Sequence, residues 1–306
     1  MILSIGLNPA VDVTYHVSTL TVGTTNRVNR AHAHAGGKAT NVARVLHQLG
    51  EPVCLISMAG GRTGDDFRAD LQSSGIPAEL VPIAGATRRT VAVIDAAAAT
   101  LLNEPGPTVS RAEWRTFLMT YQMSLSRARV VVLCGSIPPG VPTDAYQELI
   151  ELAHSAGVMT ILDTEGPKLL KALAARPTVV KLNLEELSAT MSRDVHDDAD
   201  LAAAALGLRG LGAQAVVVSR GSDGVVAITD SGIWQAVATT ISGNPTGAGD
   251  ALAAGLAVGL AHGREWEAIL IDAVALATAA VAVEVAGAVD VAVLERVRTT
   301  VSRRPE

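Results

Sequence analysis

Aromatic residues are scarce: the 306-residue chain holds three Trp, three Tyr and two Phe. With so few stacking platforms and a formal charge of −6, the chain has neither the aromatic ladder nor the basic groove that nucleic-acid binding requires. Cysteine is equally sparse. Cys54 and Cys134 both lie in apolar stretches, so they read as buried free thiols in a reducing compartment, not as a disulfide framework. A basic leader with a small-residue cleavage site is missing, and Met1-Ile2-Leu3-Ser4-Ile5-Gly6-Leu7 reads as a first strand. Long apolar runs are missing too. Ala251–Leu260 and Ile269–Val283 are too short, or interrupted by Asp272 and followed by Glu284, against the roughly 20 apolar residues of a spanning helix. The expectation is a cytoplasmic protein with neither a membrane nor a nucleic-acid partner.

What is abundant is small and aliphatic. Ala, Val, Leu and Ile carry most of the 49% hydrophobic content, which favours an α/β protein around a buried parallel sheet. Strand-like runs recur at Ile2–Leu7, Val53–Met58, Val91–Asp95, Val130–Cys134, Met159–Asp163, Val179–Leu182, Ala215–Ser219 and Val225–Thr229. Helical patterns fall between many of them, at Asn41–Gly50, Asp65–Gly75, Thr143–Gly157, Gly166–Arg176, Leu184–Met191 and Asp198–Leu211. Gly50, Gly75 and Gly157 stand where helix C-termini need a residue tolerant of positive φ. Such alternation implies right-handed βαβ crossovers. Two stretches break the rhythm, from Asp12 to about Ala35 and from about Thr87 to Pro107. Both alternate polar and apolar residues without a helix, as hairpin strands of a small accessory sheet would. The run Ala96–Ala99 reads as an ordinary hairpin connection. The expected layout is one domain over residues 1–306, with a lid formed by the inserted segments 12–35 and 87–107.

Two segments carry chemistry. Asn244-Pro245-Thr246-Gly247-Ala248-Gly249-Asp250 feeds an apolar helix. A small-residue turn there leaves backbone N–H groups free to face an anion. Asp250, in the first turn, could then take a proton from an attacking hydroxyl. For this segment alone, electrostatic capping of the helix by Asp250 explains the pattern as well. Ala35-Gly36-Gly37-Lys38-Ala39-Thr40-Asn41 turns on two glycines into a helix, with Lys38 able to meet a phosphate and Asn41 able to bind hydroxyls. It is not a P-loop, because Ala39 stands where that motif has Ser or Thr. No G-x-G-x-x-G follows the first strand, so a dinucleotide site is unsupported. His32-Ala33-His34 puts two rings on one strand face, but the spacing places no third zinc ligand.

Together the two segments resemble the signatures of the ribokinase-like carbohydrate kinases of the phosphofructokinase B type, over essentially the whole chain. Asn8-Pro9-Ala10-Val11-Asp12 and Gly135-Ser136-Ile137-Pro138-Pro139-Gly140 look like the branch that holds 1-phosphofructokinase and tagatose-6-phosphate kinase. The resemblance implies a three-layer α/β/α core with a mainly parallel sheet, a small β-sheet lid, and ATP with Mg²⁺. It makes Asp250 the catalytic base and Gly247, Ala248 and Gly249 the anion hole. Acceptor contacts would come from Asp12, Gly37, Lys38, Asn41, Arg88, Asn103 and Ser136. Asn183-Leu184-Glu185-Glu186 resembles an N-x-x-E element, in which Asn183 and Glu186 organise Mg²⁺ largely through water. Lys181, Ser219, Gly221, Gly224 and Thr246, with Gly247 and Gly249, would hold the nucleotide. Leu182 departs from the branch, which usually has Pro there.

A phosphorylated acceptor is implied by basic residues at the lid, Arg88 above all, with Arg27 and Arg89 as weaker candidates. Fructose 1-phosphate is the first expected substrate, followed by tagatose 6-phosphate and fructose 6-phosphate. Two alternatives remain: a kinase of an unphosphorylated sugar or nucleoside, and a silent sugar-phosphate sensor. The intact Asp250, glycine turn and Asn183/Glu186 pair argue against the sensor. A homodimer through the lid is expected, because an accessory sheet leaves edges to cover.

Overall fold

The computed structural model describes residues 1–95, 99–297 and 299–304, so Ala96–Ala98 of the alanine run lie outside the described residues. The chain opens with strands β1 (Ile2–Gly6), β2 (Ala10–His16) and β3 (Arg30–Gly36), then helix α1 (Lys38–Gln48). It continues through β4 (Val53–Ala59), α2 (Gly61–Ser73), β5 (Ala78–Pro82), β6 (Arg88–Ile94) and β7 (Ala99–Asn103). The middle holds α3 (Arg111–Leu125), β8 (Val130–Cys134), α4 (Ala145–Ser155), β9 (Met159–Asp163), α5 (Gly166–Ala172), β10 (Val179–Asn183) and α6 (Leu184–Met191). The last third holds α7 (Asp198–Gly210), β11 (Ala215–Ser219), β12 (Val225–Thr229), β13 (Gly232–Ala238), α8 (Ala248–Ala261), α9 (Trp266–Val281), α10 (Val291–Arg296) and β14 (Thr299–Arg304).

Ten strands form one sheet in the order β14-β13-β12-β11-β10-β9-β8-β1-β4-β5. From β11 to β5 every pairing is parallel, and β12, β13 and β14 add on antiparallel. Strict alternation sends Leu3, Ile5, Val131, Leu133, Leu162, Val180 and Leu182 into one core with α3 to α7. Ile2, Val130, Val132, Ile161, Val179 and Val217 enter the other core, with α1, α2, α8 and α9. The result is the expected three-layer α/β/α architecture with a mainly parallel sheet. Leu182 fits it simply: the strand continues through a fully buried leucine to Asn183.

Small residues let two helices of the second core approach closely. A Cβ on Gly255 would stand 2.5 Å from Ala273 Cα, and one on Gly259 would stand 2.5 Å from Ile269 Cγ1. Gly50, Gly75 and Gly157 have φ of 74°, 67° and 72°, as helix ends there require. The sequence reading omitted β5, β13, β14, α3, α9 and α10. Helix α3 does carry a start signal, a capping box in which Ser110 accepts from the Glu113 amide and Glu113 accepts from the Ser110 amide.

The two non-helical stretches supply a separate four-stranded sheet, ordered β3-β2-β6-β7. Its two antiparallel pairs are joined by a parallel pairing of β2 with β6, so it is not a pair of independent hairpins. Asp12 lies opposite His34 and Thr90, and Thr90 lies opposite Asn103. Those four side chains therefore share one face of the small sheet.

Candidate active site

Strands β1, β8, β9, β10 and β11 end along one edge of the large sheet, and the loops that leave them bring the chemistry-bearing residues together. Asp163, the last residue of β9, is fully buried and stands between two lysines. Its Oδ1 lies 2.7 Å from Lys38 Nζ, and its Oδ2 lies 2.7 Å from Lys181 Nζ. Lys181 comes from the adjacent strand β10 and is itself buried. Lys38 opens α1 and also reaches Glu186 Oε1 at 3.4 Å. Burial works against the charge of Asp163, but Lys181 and Lys38 outweigh it and hold the carboxyl below its ordinary range. Burial likewise opposes the charge of Lys38, and Asp163 and Glu186 overcome it, leaving the ammonium more basic than usual.

Beside this triad lies the turn into α8. Gly247 caps the helix with φ 88°, a left-handed conformation that glycine adopts freely. The amides of Gly247 and Gly249 have no hydrogen-bond partner among the described residues. A Cβ on Gly249 would stand 2.9 Å from Lys181 Nζ, so glycine there leaves room for the lysine head against the turn. Ala248 instead donates to Pro245 O at 3.2 Å, so of the three expected anion-hole amides two are free. Thr246 is exposed, its amide donating to Asn244 Oδ1 at 3.0 Å.

Asp250 sits in the first turn of α8, buried, and accepts a hydrogen bond from Asn41 Nδ2 at 2.8 Å. Burial and then the nearby Asp163 push its carboxyl up to about 6, against the hydrogen bond from Asn41 and the charges of Lys181 and Lys38. A carboxylate so placed is ionised at neutral pH yet basic enough to take a proton. The loop carrying Gly287 (φ 82°) closes over Asn41, where a Cβ would stand 3.0 Å from Asn41 Oδ1.

A cleft of about 480 Å³ opens between this edge and the small sheet. Gly37, Lys38, Ser136, Arg88 and Asn103 line it, with Asn8, Glu104, Thr164, Glu165 and Lys168. Arg88 donates to the carbonyls of Asn8 and Glu104 at 3.3 and 3.2 Å, and to Thr90 Oγ1 at 3.3 Å. Asn8 ties the cleft together, donating to Ser136 Oγ at 2.9 Å and to the Pro105 carbonyl at 3.1 Å. Asp12 stands just behind, accepting from the Gly37 amide at 3.3 Å, and burial raises its carboxyl. A Cβ on Gly36 would overlap Asp12 Oδ2, at 1.9 Å.

Farther along the edge, Asn183 and Glu186 form a reciprocal capping box at the start of α6, each accepting the other's amide at 2.8 Å. Ser219 Oγ donates to Leu182 O at 3.4 Å, and the turn after it holds Gly221 and Gly224 at φ 59° and 83°. A Cβ on Gly224 would stand 2.1 Å from Ala236 O, so that turn tolerates only glycine.

The structure does not bring every candidate to the cleft. Arg27 is exposed in the loop between β2 and β3 and lines no part of the cleft. Arg89 is exposed and, as the neighbour of Arg88 in the strand, points to the opposite face. His32 and His34 stack with ring centroids 5.4 Å apart, and burial pushes His34 down to about 4. Among the described residues, no group of three or more His, Cys, Asp or Glu could hold a metal ion. Sequence reasoning missed Asp163, Asn8 as an anchor, and Lys168. The only available signal for Asp163 was an acid ending a strand of otherwise apolar and hydroxyl residues.

The pfkB family of carbohydrate kinases matches residues 1–292. A tagatose-6-phosphate kinase of Staphylococcus epidermidis is 34% identical over 274 residues, 88% of each chain. A "possible 1-phosphofructokinase" of Thermotoga maritima is 28% identical with a TM-score of 0.89, covering 99% of each chain. Escherichia coli phosphofructokinase-2 in complex with fructose-6-phosphate is 28% identical with a TM-score of 0.84, over 92% of this chain and 93% of that one.

Proposed function

Because this chain belongs to the pfkB family of carbohydrate kinases, we propose that it transfers the terminal phosphoryl group of ATP to a hydroxyl of a hexose phosphate. The observation that carries this reading is the buried Asp250, oriented by Asn41 and set beside two free amides and an ammonium. The acceptor hydroxyl gives its proton to Asp250 as its oxygen attacks in line. The amides of Gly247 and Gly249 and the Lys181 ammonium stabilise charge on the transferring group. Asp163 holds both lysines in place, so their charges are positioned before the reaction begins.

Lys38, Asp12, Gly37, Asn41, Asn103 and Ser136 hold the acceptor, and Arg88 reads its phosphate from the small sheet, which acts as a lid. The turn at Ser219, Gly221 and Gly224 holds the nucleotide, with Thr246 at its phosphate end. Asn183 and Glu186 offer a single carboxylate whose oxygens already serve the capping box and Lys38. That donor set suits Mg²⁺ held mostly through water, not a dehydrated ion in an all-protein cage. When bound there with ATP, Mg²⁺ neutralises charge on the donor phosphates.

Tagatose 6-phosphate is supported as acceptor by the 34% identical relative, and fructose 1-phosphate by the Thermotoga maritima protein. The small sheet presents Val13, Tyr15, Val91 and Val93 half-buried on the face away from Asp12, with Leu102 58% exposed. A second copy of the chain covers that face in a homodimer, which sedimentation at micromolar concentration tests. Among the described residues no helix is long and apolar enough to cross a membrane, in keeping with a cytoplasmic site of action. The decisive assay is ADP release with Mg·ATP against fructose 1-phosphate, tagatose 6-phosphate, fructose 6-phosphate, fructose, ribose and adenosine. Turnover with a hexose phosphate is expected. Turnover with neutral acceptors alone overturns the reading.

A further inference from the structure

The cations around the cleft are of two kinds. Lys38 and Lys181 share the Asp163 carboxylate, and Lys38 also reaches Glu186. Arg88 touches only carbonyl and hydroxyl oxygens. The Lys168 ammonium makes no hydrogen bond and no ion pair among the described residues, although its side chain is half-buried and lines the cleft. An incoming dianion gains most where a charge has no partner to give up. Binding at Lys38 competes with a carboxylate already in contact. Binding at Lys168 does not, and at Arg88 it displaces only hydrogen bonds to neutral oxygens, with Asp12 and Glu104 acting on the guanidinium without direct contact.

Topology puts these two free cations on different parts of the molecule. Arg88 belongs to the small sheet, with Asn103, Glu104 and Pro105 beside it in the cleft wall. Lys168 belongs to α5, which follows β9, and contributes to the core side of the cleft with Thr164 and Glu165. Strand β9 lies between β8, whose loop carries Ser136, and β10, which carries Lys181 and Asn183. The acceptor candidates Gly37, Lys38, Arg88, Asn103 and Ser136 line this cleft, whereas Ser219, Gly221, Gly247 and Gly249 do not, which favours the acceptor over the nucleotide as its occupant. Glu165 is exposed and forms no ion pair with Lys168, which leaves the ammonium uncompensated.

We propose that Lys168 is a specificity-determining residue that grips the acceptor's phosphate from the core while Arg88 grips it from the small sheet. The anionic end of the acceptor thereby ties the small sheet down over the cleft. A neutral sugar leaves both cations unmatched and the sheet untied. This inference rests on the hexose-phosphate reading above.

The test combines Lys168→Met, Lys168→Arg, Arg88→Met and the double Met variant. Hexose-phosphate affinity is measured by titration calorimetry without nucleotide, and KM for ATP by steady-state kinetics. Lys168→Met is expected to weaken hexose-phosphate binding by roughly tenfold to a hundredfold, as loss of one charged hydrogen bond does. KM for ATP stays unchanged, and Lys168→Arg recovers most of the affinity. The double variant loses less than the product of the two single losses, because either loss opens the grip. A normal acceptor affinity with a raised KM for ATP assigns Lys168 to the donor and overturns the proposal. Unchanged values for both substrates also overturn it, leaving a solvated lysine. If the unaltered protein binds no hexose phosphate at all, the proposed function falls first and takes this inference with it.

Discussion

The Asp163 cluster at the ends of β9 and β10 reaches the cleft through Lys38, and the small sheet forms another of its walls, but the two regions carry their charges differently. At the strand ends two lysines are already matched: Asp163, 1% exposed, holds Lys38 and Lys181 at 2.7 Å each. On the small sheet Arg88 has no carboxylate within ion-pair distance among the described residues, and Asp12 and Glu104 act on its charge only without direct contact. On the proposed function, the first region is fixed before substrate arrives, whereas the second is completed by the acceptor. A phosphoryl-transfer site needs both, because charge stabilisation works through fixed dipoles and acceptor choice works through unmatched ones.

That contrast is broken most directly at Asp250. Asp250→Asn keeps the shape and the contact with Asn41 but removes the base, so kcat should fall by roughly 10²–10⁴-fold. KM for either substrate should barely move, and steady-state kinetics would show it. A variant with near-normal kcat would mean that the buried carboxylate is only a helix charge. Next in size is Asp163→Leu, which strands a buried Lys181. Removing one partner of a buried pair costs about 3–5 kcal/mol, so the denaturation midpoint should drop clearly, together with kcat on the order of a hundredfold. Arg88→Met should do the opposite: a KM for the acceptor raised roughly tenfold to a hundredfold, with stability nearly intact. Equal effects on stability from Asp163→Leu and Arg88→Met would erase the distinction between the regions.

The sequence was readable where a pattern is local. The strands Val130–Cys134, Met159–Asp163, Ala215–Ser219 and Val225–Thr229 fall where periodicity placed them. Gly247 and Gly249 announce a turn into a helix because only small residues fit that approach. Asp163 was opaque for the opposite reason. Its meaning comes from β9 lying beside β10, and from α1 delivering Lys38 across 125 positions of sequence, a juxtaposition no single-window pattern contains. Strands β13 and β14 were missed because they pair antiparallel at the sheet edge, after the βαβ rhythm has ended. Lys168 was passed over because an unpaired lysine on a short helix looks like any solvated charge until the cleft wall is in view.

The smallest expected effect is also the sharpest test of how the rigid region is held. The Asp250 carboxyl is pushed up to about 6 from an ordinary value of 3.8. A folded-state pKa above the unfolded one means that the native state favours the protonated form. Ionising Asp250 therefore works against folding from about pH 3.8 upward, and in full above about 6. Asp250→Asn removes that penalty, so at pH 8 the inactive variant should melt a few degrees higher than the unaltered protein. The advantage should shrink as pH falls through 6 and vanish below 3.8, where both side chains are neutral. Melting curves of the two proteins from pH 4 to pH 8 would show this convergence. A constant difference across that range would instead trace the gain to packing or to the Asn41 contact, and the carboxylate would not be held against its own solvation. Convergence would identify Asp250 as a group kept basic at the expense of the fold, as a proton acceptor beside Asp163 must be.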